Sequence, residues 1–188
     1  MPRLYLGIDQ SYSGCAIVTF TPATGRTESE RFDFSPKKAG SGPQRLAHVH
    51  WVLGEYFQSQ LLAGTVGAIA YEGYAYGAKF RREELGELGG IVRLALVQTW
   101  PPHLLHVVAP ASVKKYATGS GRADKDKMLL AVYMRWKFEA PDHDTADAYT
   151  LARIAADLDA DQPPELKFQR EVLGTIRNPK PSRTKKSA

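Results

Sequence analysis

Four acidic residues of this chain have the types and the spacing that a divalent-metal site requires, and they are Asp9, Glu72, Asp144 and Asp147. Asp9 closes the apolar segment of residues 3–9, and Glu72 closes a second apolar segment, residues 66–72. Each segment predicts a short buried strand whose last residue is charged. Sites of α/β proteins usually lie at the edge of the sheet where strands end, so we expect both carboxylates at that edge.

The other two acids lie on a predicted helix. Pro141 and Asp142 mark its start, and Asp142 is expected to cap the first turn. Asp144 and Asp147 are three residues apart and therefore share one face of the helix. At about 100° per residue that face also carries the apolar residues of the helix, which are Ala148, Leu151, Ile154, Ala155 and Leu158. Both acids are therefore expected to point into the protein.

The negative charges of inward-facing acids must be neutralised. Burying an ionised carboxylate costs several kcal/mol when nothing neutralises it, and two carboxylates on adjacent turns also repel each other. A bound cation removes both costs, and oxygen ligands favour Mg²⁺ or Mn²⁺ over zinc. Two such ions about 4 Å apart activate a water and stabilise the leaving 3′ oxygen during in-line cleavage of a phosphodiester. We expect Asp9 to bridge the two ions, with Glu72 on one ion and Asp144 and Asp147 on the other.

Each acid taken alone has a simpler interpretation. Asp9 or Glu72 could be a turn or capping residue at a strand end, and Asp144 could be a first-turn acid favoured by the helix dipole. The hypothesis of a site rests on the conjunction of two strand-end acids with an inward-facing helical pair. His143 is adjacent and could join or replace a ligand, or could be an ordinary solvated histidine.

The length of the chain, 188 residues, is within the usual size of one domain. Cys15 is the single cysteine, so no internal disulfide can form, and its apolar neighbours predict a core position. The sequence has neither a signal-peptide pattern nor an apolar run long enough to cross a membrane. We therefore expect a cytoplasmic protein with no membrane partner, or a protein of the host cytoplasm if a phage encodes it. A bacterial or plastid origin is also open.

Positive charge is concentrated at the carboxyl end of the chain. The net charge is +5, and residues 161–188 contain seven Lys or Arg against three acids. This end also holds four prolines and few apolar residues, a composition typical of an extended tail. We therefore expect a nuclease domain over residues 1–160 and a basic tail over residues 161–188, which either contacts phosphates or keeps the protein soluble.

The order of the predicted elements defines the fold class. Three β-rich segments come first, and they are residues 3–9, 14–20 and 27–34. An amphipathic helix near residues 46–61, a strand of residues 66–72, a loop, a helix of residues 83–99 and a strand of residues 104–108 follow. Two shorter helical stretches precede the helix that carries Asp144. This order predicts an α/β protein with a mixed five-stranded sheet flanked by helices on both faces.

The motifs resemble those of a known family, the RuvC-type Holliday junction resolvases of the ribonuclease H-like superfamily. The matching segments are Leu6-Gly-Ile-Asp9 with Ser13-Gly14, then Tyr71-Glu72, then Asp144-Thr-Ala-Asp147-Ala. Residues 110–125 are similar to that family's Val-Lys, Thr/Val-Gly and Ala-x-Lys stretch, and residues 85–90 are similar to its Leu-Gly-x-x-x-Gly helix. The chain departs from the family at Asp9-Gln10-Ser11, where the family has Asp-Pro-Gly, and its following turn is shorter.

The resemblance implies a ribonuclease H-like fold and assigns metal binding to the four acids. It places Lys114 and Lys125 near the scissile strand, and we expect Lys125 to stabilise the charge of the pentacovalent phosphate or to orient the water. Tyr74 or Tyr76 could stack on an unpaired base at the branch point, or could be a packed loop tyrosine. The basic residues expected to hold phosphates are Lys79, Arg81, Arg82, Lys114, Lys115 and Arg122.

The resemblance also implies an activity. It indicates a Mg²⁺- or Mn²⁺-dependent endonuclease of DNA recombination and repair, which resolves four-way junctions by paired symmetric nicks with 5′-phosphate and 3′-hydroxyl ends. Two symmetric nicks require a two-fold homodimer. One face of the helix of residues 83–99 is a candidate interface, with ordinary core packing as the alternative. Its apolar residues are Leu85, Leu88, Ile91, Val92 and Ala95.

Other activities stay open at this stage. A related two-metal nuclease that cuts RNA/DNA hybrids or other branched DNA would use the same four acids. A non-catalytic junction-binding protein would keep the fold without the metals. A sugar kinase or actin-like ATPase also begins with Gly-Ile-Asp, but it needs a second phosphate loop and a second domain that this length does not hold.

Overall fold

One sheet of five strands is the centre of the molecule, and the computed structural model describes residues 2–73 and 82–179, with the backbone alone at residues 82–84. The strands are β1 (Arg3–Ser11), β2 (Gly14–Thr21), β3 (Arg26–Asp33), β4 (Thr65–Glu72) and β5 (Leu105–Val108). Their order across the sheet is β3-β2-β1-β4-β5. β1, β2 and β3 pair as antiparallel neighbours, whereas β4 and β5 run parallel to β1.

Helices cover both faces of this sheet. In chain order they are α1 (Pro36–Ala39), α2 (Gly42–Ala63), α3 (Arg82–Thr99), α4 (Pro110–Thr118), α5 (Lys125–Trp136), α6 (His143–Asp159) and α7 (Lys167–Arg177). α2 and α3 pack on one face, and α4 to α7 pack on the other. None of the helices in the described ranges has the length and apolar composition needed to cross a membrane.

The central strand β1 alternates between the two cores. Leu6 and Ile8 are fully buried against α2 and α3, whereas Tyr5 packs on the side of α6. Successive side chains of a strand point to opposite faces, so Asp9 belongs to the α6 side. In β4, Ala70 also packs on that side, and Glu72 follows it with the same parity. The two strand-end acids therefore share the face that α6 covers.

The predicted fold class is confirmed, since the sheet is mixed, has five strands and carries helices on both faces. The strands begin and end within a few residues of the predicted limits. A short helix, α1, lies between β3 and α2. A 3-10 turn, Pro102–Leu104, precedes β5.

The carboxyl end differs from the expected extended tail. Residues 167–177 form α7, and its Val172 and Leu173 are buried in the core with α4 and α6. The expectation of an extended segment is therefore wrong here, because the apolar residues fall on one helix face and pack into the core. Residues 180–188 lie outside the described part of the chain, and the domain limit at residue 160 stays a prediction.

The prediction that this face of α3 forms a dimer interface is also corrected in part. Leu88, Val92 and Ala95 are buried against α2 and the sheet. These residues form the core of the single chain and leave no surface for a partner. The apolar residues that α3 exposes are Leu94 and Val97.

Candidate active site

A close contact between β1 and α6 positions the acids. A Cβ atom built on Gly7 would lie 1.9 Å from the carbonyl oxygen of Ala148 and 2.2 Å from the amide nitrogen of Ala152. A residue with a side chain cannot occupy this position without moving the helix. Because α6 lies directly on β1, the acids of its first two turns come to the end of the strand where Asp9 lies.

Asp9 and Glu72 meet at the ends of adjacent parallel strands. Asp9 is buried, and burial, the charge of Glu72 and a hydrogen bond with Glu72 raise the pKa of Asp9 well above its ordinary value. Burial also raises the pKa of Glu72, while the hydrogen bond with Asp9 and the charge of Lys114 lower it. The two carboxyl groups therefore interact closely and titrate as a pair.

Gln10 fixes the end of β4 beside Asp9. Its side-chain Nε2 donates to the backbone carbonyl of Glu72 at 3.1 Å. The β1–β4 ladder itself ends one pair earlier, at Ile8 and Tyr71. The amide therefore extends the connection between the strands to the residue that carries the carboxylate.

Arg31 of β3 connects the first turn of α6 to the sheet. Its guanidinium pairs with Asp142 and with Asp144, the latter at 2.8 Å between Nη2 and Oδ2. Asp142 also caps α6, since its Oδ1 accepts from the amide of Thr145 at 2.8 Å. The predicted capping role of Asp142 is confirmed, and Asp144 lies at the site with one carboxylate oxygen held by an arginine.

Asp147 lies at the same site in an unfavourable environment for a charge. Burial first, and then the charge of Glu72, raise the pKa of Asp147 to about 6, although Lys114 and Lys125 oppose this rise. Its Oδ1 is buried and has no hydrogen-bond partner among the described residues. Nδ1 of His143 is likewise buried without a partner there, so this ring is not an ordinary solvated histidine.

Two of the predicted lysines lie beside the acids. The charge of Lys114, on α4, lowers the pKa of both Glu72 and Asp147. Lys125, the first residue of α5, acts in the same direction on Asp147. The site therefore combines four carboxylates with positive charge on one side.

Among the other predicted DNA contacts, the structure describes the side chains of Lys115 and Arg122. Lys115 forms an ion pair with Glu171 of α7 at 2.6 Å, which directs this side chain toward the carboxyl-terminal helix. Arg122 is exposed in the loop between α4 and α5. The remaining candidates lie outside the described residues or side chains, and they are Tyr74, Tyr76, Lys79, Arg81 and Arg82.

The donor atoms of the four acids decide whether a metal could bind here. Within residues 2–73 and 82–179, no three Asp, Glu, His or Cys side chains converge closely enough to enclose one ion. Asp9 and Glu72 are hydrogen-bonded to each other, and Asp144 is paired with Arg31. The donors nevertheless suit a hard divalent cation, because all are carboxylate oxygens and Asp147 offers a buried oxygen without a partner. Binding of a cation would require the first two acids in their deprotonated form.

Three polar residues that support the site were missed by the sequence analysis, and they are Gln10, Arg31 and Arg45. Arg45 of α2 is buried, donates from Nε to the carbonyl of Phe34 at 2.8 Å and also contacts the carbonyl of Tyr12. It thereby holds the turn that follows Asp9. A signal for Arg31 exists in the sequence, because pairing the first three strands as consecutive hairpins places it in the same row as Asp9.

Comparison with known proteins supports the fold. No protein-family model matches the chain. A structure of RuvC from Thermus thermophilus is 20% identical and aligns with a TM-score of 0.59 over 79% of this chain and 90% of that one. T. thermophilus RuvC in complex with a Holliday junction substrate is 19% identical, with a TM-score of 0.63 over 84% of this chain and 93% of that one. At these identities the likeness shows the fold alone, and the predicted ribonuclease H-like α/β fold is confirmed.

Proposed function

We propose that this protein is a metal-dependent, structure-selective endonuclease that resolves four-way DNA junctions during recombination and repair. The observation that carries the proposal is the proximity of four carboxylates at the end of β1 and of two lysines beside them. The shared fold with T. thermophilus RuvC, which is known in complex with a Holliday junction substrate, supports branched DNA as the substrate.

The acids would hold two Mg²⁺ or Mn²⁺ ions. When bound, these ions supply Lewis acidity and neutralise the charge that develops on the reacting phosphate. Asp9 and Glu72 would offer the carboxylate oxygens through which they now interact with each other. Asp147 would offer its unpartnered Oδ1, and Asp144 would offer Oδ1, the oxygen outside its ion pair with Arg31.

The lysines would act on the phosphate. Lys114 and Lys125 already act electrostatically on the acids, so a phosphodiester bound there would lie within reach of both positive charges. Lys125 would stabilise the negative charge of the pentacovalent phosphorus in the transition state. In-line displacement of the 3′ oxygen leaves a 5′ phosphate and a 3′ hydroxyl, which are the expected product ends.

Paired symmetric nicks require two sites, so the proposal includes a two-fold homodimer. Its interface must use surface other than Leu88, Val92 and Ala95, which the core of the single chain already buries.

The experiment compares synthetic substrates of equal length: a four-way junction, a duplex and an RNA/DNA hybrid. Each is incubated with Mg²⁺, with Mn²⁺ and with a chelator, and the cut positions are mapped on every strand. Symmetric nicks confined to the junction, and abolished by the chelator, support the proposal. Cleavage of the hybrid in preference to the junction contradicts it in favour of a ribonuclease. Junction binding without cleavage under either metal contradicts it in favour of a binding protein.

A further inference from the structure

Arg31 occupies a position that the sheet register fixes relative to Asp9. Ala16 of β2 pairs with Asp9 of β1 on one side and with Arg31 of β3 on the other. Residues directly opposite one another point to the same face of a sheet, so all three belong to the face that α6 covers. Ala16 is buried and small, and it leaves room for the long arginine side chain to cross toward the helix.

Arg31 pairs with one oxygen of each of two carboxylates and leaves the other oxygen of each for a different role. Asp142 uses Oδ1 to cap α6 and Oδ2 to pair with the guanidinium. Asp144 uses Oδ2 for the guanidinium, which leaves Oδ1 outside this ion pair. The planar guanidinium of an arginine can hold both carboxylates in fixed orientations. A lysine, which has a single side-chain nitrogen, cannot do so.

Stability alone does not account for this arrangement. The Arg31 side chain is 55% exposed, and ion pairs of such exposed groups contribute between zero and about 1 kcal/mol. Other charged groups pair in the same exposed manner on this strand, where Arg26 contacts Glu28. The difference is that the partner of Arg31 is an acid of the candidate active site.

We propose that Arg31 is a positioning residue, which holds Oδ2 of Asp144 and the first turn of α6 so that Oδ1 of Asp144 is presented to the cation. This inference rests on the proposed function for the identity of the substrate. Its effect on the metal can be measured without any substrate. Loss of groups that orient metal ligands typically weakens metal affinity or activity by about 10- to 100-fold.

The test measures the Mg²⁺ concentration that gives half of the thermal stabilisation, with no DNA present, and cleavage of the four-way junction at saturating Mg²⁺. The variants are Arg31→Ala and Arg31→Lys, and the matched control is Arg26→Ala on the same strand. We expect both Arg31 variants to raise the Mg²⁺ midpoint by about 10- to 100-fold and to slow cleavage, and we expect the control to behave as wild type. Asp142→Ser, which keeps a capping oxygen and removes the second anchor of Arg31, should raise the midpoint by a smaller factor.

Three outcomes would overturn the inference. A lower midpoint in Arg31→Ala with a wild-type midpoint in Arg31→Lys would mean that the residue only balances charge. A lower melting temperature with an unchanged midpoint and unchanged cleavage would mean that its role is only structural. A wild-type protein that does not respond to Mg²⁺ would overturn this inference together with the metal mechanism. If Mg²⁺ binds and the midpoints shift as expected but no junction is cut, the positioning role stands and the proposed function fails.

Discussion

Single residues explain why the candidate site would suit a cation. Asp9 and Glu72 interact closely and both have a raised pKa, and Asp147 has a pKa raised to about 6 and a buried oxygen without a partner among the described residues. The identity and approximate place of these acids could be predicted, because a carboxylate at the end of an apolar segment stands out against its neighbours. The role of Arg31 was missed because it depends on the register of two consecutive hairpins and not on the residues next to Arg31.

Replacing Asp147 with Asn should stabilise the metal-free protein at alkaline pH. Because the pKa of Asp147 in the folded protein is raised to about 6, its contribution to stability is fully present below about pH 4 and is lost as the pH rises through 6. We therefore expect Asp147→Asn to exceed wild type in free energy of unfolding by about 3 kcal/mol at pH 8 and to match it at pH 4, measured by urea unfolding in chelator.

Two comparisons make this measurement specific. Asp161→Asn removes an exposed acid beyond α6 and should change stability at neither pH. Added Mg²⁺ should stabilise wild type at pH 8 and stabilise Asp147→Asn less. Equal stability of wild type and Asp147→Asn at pH 8 would show that the acids do not destabilise the fold when ionised.

At the scale of elements, the fold follows from periodicity where the pattern is strong and from packing where it is weak. The buried strands and the long helices α2, α3 and α6 could be predicted, because their apolar residues recur at strand or helix spacing. α7 was missed because the basic and proline-rich composition of residues 161–188 was given more weight than the helical spacing of Phe168, Val172 and Leu173 within it. The contact between β1 and α6 then brings together acids that lie far apart in the sequence.

Replacing Gly7 with Ala should separate α6 from β1. The added Cβ would lie 1.9 Å from the carbonyl oxygen of Ala148. Because this oxygen belongs to the backbone of α6, the clash can be relieved only if the helix shifts away from β1. We expect Gly7→Ala to lower the free energy of unfolding by at least about 2 kcal/mol, measured by urea unfolding.

The matched control is Gly54→Ala, which places the same methyl group in open space on α2. It should stabilise the protein by about 0.5–1 kcal/mol, since alanine favours a helix interior over glycine. Similar small effects of the two substitutions would contradict the close β1–α6 contact.

At the scale of the whole molecule, the sheet and its two helical layers bring the candidate acids to one edge and the lysines beside them. The mixed sheet and its layers could be predicted from the order of elements. The chain's likeness to T. thermophilus RuvC extends over 84% of its length and shows the fold. The proposed activity then depends on whether the four acids act as one metal-dependent centre.

The most direct test of that claim compares wild type with Asp9→Asn for binding and cleavage of a four-way junction in Mg²⁺, with Asp161→Asn as the control. Asp9→Asn keeps the shape of the side chain and replaces the carboxyl group that interacts with Glu72 and with both acids of α6. We expect junction affinity to persist and cleavage to fall by at least about 100-fold, with the control unchanged. Undiminished cleavage by Asp9→Asn would contradict a metal-dependent active site at these acids.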